Sequence, residues 1–297
     1  MSTLDLCGVP LAGPVMNGSG TFDAIAARRA FGGALLREFP FHAFVSKTIT
    51  LEPRQGNPPP RLWETPAGLI NSIGLPNKGL AGFLEHDLPE LAALPVPLIV
   101  SVMGFTREEV ATLVAAISER PEVALIELNI SCPNVETGVI VGTDPLETTL
   151  MLEHIRGLAG LPLIVKLSPN AADPAAVAVA AQDAGADAIS LINTLRGAAL
   201  DPRSGELWLG GGSGGVSGPA VRAVALHQVA TVCQAVSIPV VGMGGISTGA
   251  QAADFLRVGA HCVAVGTESF RDPAAGSRIA AELDVILRKE RDIPASP

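Results

Sequence analysis

The residues best suited to chemistry stand at the ends of short apolar runs. Lys47 and Thr48 close FVSKT (44–48), Ser101 lies in LIVSV (98–102), Asn129 falls in LIELNI (125–130) and Lys166 in LIVKL (163–167). Asn193 and Thr194 follow DAISLI (187–192), Gly244 and Gly245 follow PVVGM (239–243), and Gly266 and Thr267 follow the run opened by Cys262. A lysine flanked by LIV and L is expensive to bury alone, so Lys166 calls for an anionic ligand or a neighbouring carboxylate such as Glu127. GMGGIS (242–247) by itself is only a tight turn. Paired with VGT (265–267) after the next run, it predicts a phosphate site built from backbone N–H groups. Cys132, in NISCPNVETG (129–138), sits between Asn129 and Asn134, with Pro133 turning the chain. Its thiol is open to five readings: metal ligand, half of a disulfide, nucleophile, proton-transfer group or buried filler.

Spacing narrows these readings. Cys7, Cys132, Cys233 and Cys262 are far apart and form no CxxC pair, which disfavours metal and disulfide chemistry and fits a reduced, cytoplasmic setting. The other three cysteines read as small buried hydrophobes. His42, His86, His154, His227 and His261 belong to no motif and read as structural or solvated, which leaves a nucleophilic cysteine without a partner base.

The elements that must position these groups alternate in type. Eight candidate strands are PVMN (14–17) and the seven runs at 44–48, 98–102, 125–130, 163–167, 187–192, 239–243 and 262–266. Helical patterns lie between them at 106–119, 145–159, 174–185, 219–236 and 248–259, and another closes the chain. Thr106 with Glu109 three residues on is a capping box. This order predicts a (β/α)8 TIM barrel over residues 1–297 as one domain, with a doubly wound open sheet as runner-up. In a barrel, the chemistry sits at the C-terminal strand ends, where the residues above converge. Two segments, 49–82 and 194–218, are too long for bare connections and predict functional loops or small extra strands at that face. Trp63 and Trp208 fall in these two segments and are expected to pack them down.

Composition bounds the partners. Of 297 residues, 48% are hydrophobic and 16% charged, enough apolar content for a large core. The net charge of −9 and the lack of a long basic run argue against nucleic acid or an anionic membrane surface. The first residues lack a basic start and an apolar signal core, and no stretch reaches 18 uninterrupted apolar residues.

The motifs, taken in order, resemble those of the class 1 dihydroorotate dehydrogenases. The resemblance rests on GSGTF (18–22), SKTITLEPRQGNPPPRLWETPAGLINSIGLPNKG (46–79), LNISCPNV (128–135), VKLSPN (165–170), INT (192–194), GGVSGPA (214–220), GMGGI (242–246) and VGT (265–267). It implies an FMN-binding (β/α)8 barrel that oxidises (S)-dihydroorotate to orotate. Carried over by position, Ser19, Gly20, Lys47, Thr48, Ser101, Asn129, Lys166, Ile192, Gly218, Gly244, Gly245, Gly266 and Thr267 would hold the flavin. Lys47, Asn71, Ser72, Ile73, Gly74, Leu75, Asn129, Asn134, Asn193 and Thr194 would hold the substrate. Lys47 and Lys166 would assist the chemistry, and Cys132 occupies the family's base position. Class 2 relatives carry serine there and an N-terminal membrane segment, so cysteine without such a segment points to class 1.

The LEPRQGNPPPRLWETPAGLINSIGLPNKG segment and GTDP resemble the 1B branch. Its catalytic subunits pair with a separate chain carrying FAD and a [2Fe–2S] cluster and pass electrons to NAD+. The expected assembly is a homodimer or a heterotetramer with that partner. Ser101 departs from the branch pattern, which has a flavin-contacting asparagine there, and DAIAARRAFGGALLREFP is less typical of it. The alternatives are a fumarate-linked class 1A enzyme, a related dihydropyrimidine dehydrogenase and, more remotely, a barrel lyase with a Schiff base on Lys166.

Overall fold

The computed structural model describes residues 3–131 and 141–291. Eight parallel strands form its centre: β1 (Val15–Asn17), β2 (Phe44–Val45), β3 (Leu98–Val102), β4 (Leu125–Asn129), β5 (Leu163–Lys166), β6 (Ala188–Leu191), β7 (Val240–Met243) and β8 (Cys262–Val265). Their spatial order is β1-β8-β7-β6-β5-β4-β3-β2, so each strand lies beside its sequence neighbours. The seam between β1 and β2 is closed by a parallel bridge, Met16 to Ala43, and by the His42 N–H donating to the Val15 carbonyl at 2.8 Å. Asn17 supplies two further rungs. Its Nδ2 donates to the Val45 carbonyl at 2.8 Å and its Oδ1 accepts the Val45 N–H at 2.8 Å. A side-chain amide thus takes the place of backbone where two short strands meet, and the sheet is a barrel rather than an open doubly wound sheet.

The helices follow the strands in alternation. The principal ones are α1 (Ala24–Phe31), α2 (three successive turns, Gly79–Gly82, Phe83–Asp87 and Leu88–Leu91), α3 (Arg107–Ser118), α4 (Pro145–Arg156), α5 (Pro174–Asp183), α6 (Arg222–Ala235), α7 (Gly249–Arg257) and α8 (Ala275–Arg291), with short helical turns at Gly33–Arg37 and Glu268–Arg271. Local chemistry explains their starts. Asp23, Thr106, Asp144, Asp173 and Thr248 each accept an N–H in the first turn, capping α1, α3, α4, α5 and α7. The Glu109 carboxylate accepts from the Phe105 N–H at 2.7 Å, one residue before the Thr106 cap, a near-variant of the predicted box. α1 was not expected from the sequence, although Asp23 is the kind of cap that announces it.

Alternation along the strands sorts the core into two layers. Outward residues such as Val100, Val102, Ile126, Leu128 and Val165 pack under the helices. Inward ones, including Ile99, Leu125, Ile164 and Val241, fill the barrel, and Leu6 and Leu11 of an N-terminal hairpin join them. Two residues further along, the inward positions turn polar: Ser101, Glu127, Lys166 and Ser190, all buried. The period of two that places Leu125 inside also places Glu127 and Asn129 there.

The second strand departs from its predicted length. Its ladder stops at Val45 and resumes at Ile49, which bridges Val102. The interruption frees Lys47 and Thr48 from the sheet and turns both into the mouth of the barrel. The segments 49–82 and 194–218 do carry extra strands, joined into one antiparallel sheet in the order Leu195–Gly197, Gly214–Ser217, Gly68–Asn71, Leu62–Thr65. Trp63 and Trp208 meet edge-on at 5.3 Å between centroids and pack with Ile70, Ala199 and Leu209. No helix among the described residues is long and apolar enough to cross a membrane.

His42 is part of this framework. Its Nδ1 accepts the Val15 N–H at 3.2 Å, which requires an unprotonated nitrogen, and burial pushes its pKa below the ordinary histidine value. Below about pH 6.5 the unfolded chain takes up a proton there that the folded one resists, so stability falls as pH drops through that value. Urea unfolding between pH 7.5 and 5.5 should show wild type losing more stability than His42→Gln; equal slopes would remove His42 from the acid response.

Candidate active site

A cavity of about 840 Å³ opens at the C-terminal ends of the strands, beneath the antiparallel sheet. Its two ends differ in chemistry. One is backbone: Gly18 to Thr21 after β1, Gly218, then Gly244 and Gly245 after β7 and Gly266 and Thr267 after β8. Gly245 has φ +70°, and a Cβ there would lie 2.7 Å from the Gly218 carbonyl; a Cβ on Gly218, at φ +92°, would lie 2.8 Å from the Gly68 Cα. Only glycine lets these three backbones approach so closely. Among the described residues, the N–H groups of Gly244, Gly245, Gly266 and Thr267 donate to no protein acceptor. Four free donors beside a glycine-lined wall suit a phosphate.

The other end carries amides and hydroxyls. Asn71, Ser72, Ile73, Gly74 and Leu75 descend from the antiparallel sheet, while Asn129, Ile192, Asn193 and Thr194 rise from the ends of β4 and β6. Asn71 Nδ2 donates to the Gly215 carbonyl at 3.1 Å, and Asn193 Nδ2 donates to Ser131 Oγ at 2.9 Å, so both amides are held in fixed orientations. Each retains acceptor or donor capacity toward the cavity, which suits a small ring bearing both N–H and C=O groups. Lys47 opens onto the same space. Desolvation pulls its pKa below the ordinary lysine value, Asp23 opposes that shift and Arg61 adds to it.

Below the cavity floor lies a polar chain. Ser19 and Thr48 hydroxyls meet at 3.0 Å, Thr48 and Ser101 at 2.9 Å, and Ser101 Oγ donates to Glu127 Oε1 at 3.1 Å. Ser190 Oγ donates to Glu127 Oε2 at 3.1 Å, and Lys166 Nζ lies 3.8 Å from Oε1. Lys166 therefore has the carboxylate partner that its sequence context allowed, and it also lines the cavity. Ser101 is fully buried and does not line the cavity; its short side chain reaches Thr48 and Glu127, so that its connection to a cavity ligand would run through Thr48.

Ser101 apart, the described residues proposed above all border this one cavity. Cys132 and Asn134 lie outside the described residues. The cavity also draws in Met103, Ser131, Ser168, Asn170, Arg196 and Phe270, which were not expected. Asn170 had a visible signal, since LSPN after β5 echoes SCPN after β4. Its side chain ties Ser168 Oγ to the Thr194 carbonyl at 3.2 and 3.1 Å. Burial pushes Cys7 and Cys233 up to about 11 and Cys262 to about 12, far from the thiolate form. No group of three or more His, Cys, Asp or Glu among the described residues is placed to hold a metal.

The family profile described as Dihydroorotate dehydrogenase matches residues 1–287. The chain belongs to the dihydroorotate dehydrogenase family. Among its relatives is a protein of Desulforudis audaxviator (strain MP104C), 45% identical over 294 residues, covering 97% of this chain and 94% of the relative. Another, from Pelobacter propionicus, is 46% identical and covers 97% and 93%. A third, from Geobacillus kaustophilus, is 43% identical and covers 96% and 90%. Each is named dihydroorotate dehydrogenase B (NAD(+)), catalytic subunit. Dihydroorotate dehydrogenases are flavin-dependent, and the cavity fits a flavin: free backbone donors at one end, a lysine and hydroxyl floor beneath, and an amide-lined space beyond.

Proposed function

We propose that this chain is the catalytic subunit of an FMN-dependent dihydroorotate dehydrogenase of de novo pyrimidine biosynthesis, working in the cytoplasm as one barrel domain. The observation that carries the reading is the two-ended cavity, with a phosphate cradle and an amide-and-lysine end on one continuous floor. Gly218, Gly244, Gly245, Gly266 and Thr267 hold the phosphate and ribityl chain. Ser19, Gly20, Thr48, Asn129, Lys166 and Ile192 lie against the remainder of the cofactor. Bound FMN supplies the acceptor for the hydride that leaves C6 of (S)-dihydroorotate.

The chain's own residues do the rest. Lys47 pairs with the substrate carboxylate, a contact favoured by its partly desolvated position. Asn71, Asn129, Asn134, Asn193 and Thr194 match the ring's N–H and C=O groups and fix its orientation, while Ser72 to Leu75 close over it. Cys132 takes the C5 proton, so that loss of this proton and of the C6 hydride leaves the C5=C6 double bond of orotate. Lys166 provides positive charge where the reduced cofactor gathers negative charge.

Three relatives named as NAD(+)-linked catalytic subunits support NAD+ as final acceptor and a partner subunit. In this reading the partner is a separate chain holding FAD and a [2Fe–2S] cluster, and this chain forms a homodimer. Purification of the tagged chain from its native source tests this. A co-purifying iron–sulfur flavoprotein that confers NAD+ reduction by dihydroorotate is the expected result. An isolated homodimer reducing fumarate would overturn the NAD+ assignment, and turnover of dihydrouracil in preference to dihydroorotate would overturn the substrate.

A further inference from the structure

Glu127 is a carboxylate 3% exposed, inside a barrel whose other inward layers are apolar. Burying it costs several kcal/mol in general, and apolar side chains of similar volume often serve a core equally well. Its surroundings offset that cost: Ser101 and Ser190 donate to its two oxygens at 3.1 Å each, and Lys166 Nζ stands 3.8 Å away. Ser101, whose single hydrogen goes to Glu127, can only accept from Thr48 at 2.9 Å, while Ser19, whose own hydrogen goes to the Ser46 carbonyl at 2.8 Å, offers Thr48 a second acceptor at 3.0 Å. Asn129 Nδ2 approaches Thr48 Oγ1 at 3.5 Å. Glu127 thus orders Thr48 through Ser101 and faces Lys166 directly, and both Thr48 and Lys166 line the cavity. The 3.8 Å separation is loose for an ion pair, and among the described residues no hydrogen bond ties Lys166 Nζ elsewhere, so its protons remain available to the cavity.

We propose that Glu127 is a positioning residue that holds and partly neutralises Lys166, so that the electron affinity of a flavin in this cavity is set by the Glu127–Lys166 pair rather than by Lys166 alone. The inference rests on the flavin-binding reading above. A lysine without its carboxylate would present a stronger field to the cofactor and favour its reduced, more negative form. Glu127→Gln preserves shape and the capacity to accept from Ser101 while removing the charge.

The experiment measures the midpoint potential of FMN bound to wild type, Glu127→Gln, Glu127→Asp, Lys166→Met and the Glu127→Gln/Lys166→Met double variant, by dye equilibration in the absence of substrate. FMN affinity of each apoprotein is measured alongside. Glu127→Gln is expected to shift the reduction equilibrium at least tenfold toward reduced flavin, a rise of about 30 mV for a two-electron couple. Glu127→Asp, which keeps the charge but draws it back from Lys166, is expected to shift it the same way by about threefold, and it carries the test if the glutamine variant does not fold. In the Lys166→Met background, adding Glu127→Gln should change the equilibrium by less than threefold. Weaker FMN binding with an unmoved or lowered potential in Glu127→Gln would assign Glu127 to structure alone and overturn the proposal. So would an equal rise in the Lys166→Met background, because Glu127 would then act without Lys166. Wild type that binds FMN while the variants show no shift sinks only this inference; wild type that binds no FMN sinks the flavin reading and this inference together.

Discussion

Cys132→Ser should retain its flavin and lose about 10²–10⁴-fold in dihydroorotate turnover near pH 7, the range a positioned general base contributes. The sign follows from the group. An ordinary thiol titrates near about 8.5 and accepts a proton only as thiolate, so wild-type kcat/KM should rise with pH as the thiolate forms. A serine hydroxyl is far more basic and mostly protonated, so the variant should recover partially at high pH and not at neutral pH. Steady-state rates across pH 6 to 10, with flavin content measured on the same samples, separate lost chemistry from lost cofactor. Unchanged turnover at neutral pH would remove Cys132 from the proton-transfer step.

Lys166→Met should slow reduction of bound flavin by dihydroorotate by about 10²–10³-fold, the scale on which loss of one preorganised electrostatic contact is felt in a water-poor site. It should also lower folding stability by about 1–3 kcal/mol, because Glu127 would keep its two hydroxyl donors but lose its only counter-charge among the described residues. Anaerobic stopped-flow absorbance reads the first effect and urea unfolding the second. Normal reduction kinetics with reduced stability would make Lys166 a structural cation.

The strand ends were legible because they follow a simple rule: short β-rich runs ending in Asn, Lys or Gly at regular intervals, with capped helices between them. Every barrel strand lies where its apolar run predicts, and the glycine pairs after β7 and β8 face the same cavity. The misses have physical causes. FVSKT looked like an unbroken strand because periodicity does not register an interruption in the ladder, and that interruption is what turns Lys47 and Thr48 inward. Ser101 was placed on the cavity by the residue type usual at that position, yet its shorter side chain ends beneath the floor on Thr48 and Glu127. The pairing of the two long segments into one sheet depends on contacts such as Asn71 with Gly215, across 144 positions of chain, which no local pattern encodes. Asn170 and Arg196 entered the cavity by the same route, linked by the Arg196 N–H donating to Asn170 Oδ1 at 3.0 Å.

The most direct test of the central reading is the flavin itself, followed through one anaerobic half-reaction. The purified chain should be yellow, carry about one FMN per barrel, and be bleached on mixing with (S)-dihydroorotate while dihydrouracil leaves it oxidised. A colourless protein that cannot be reconstituted with FMN, or a flavoprotein that dihydroorotate fails to reduce, would contradict it.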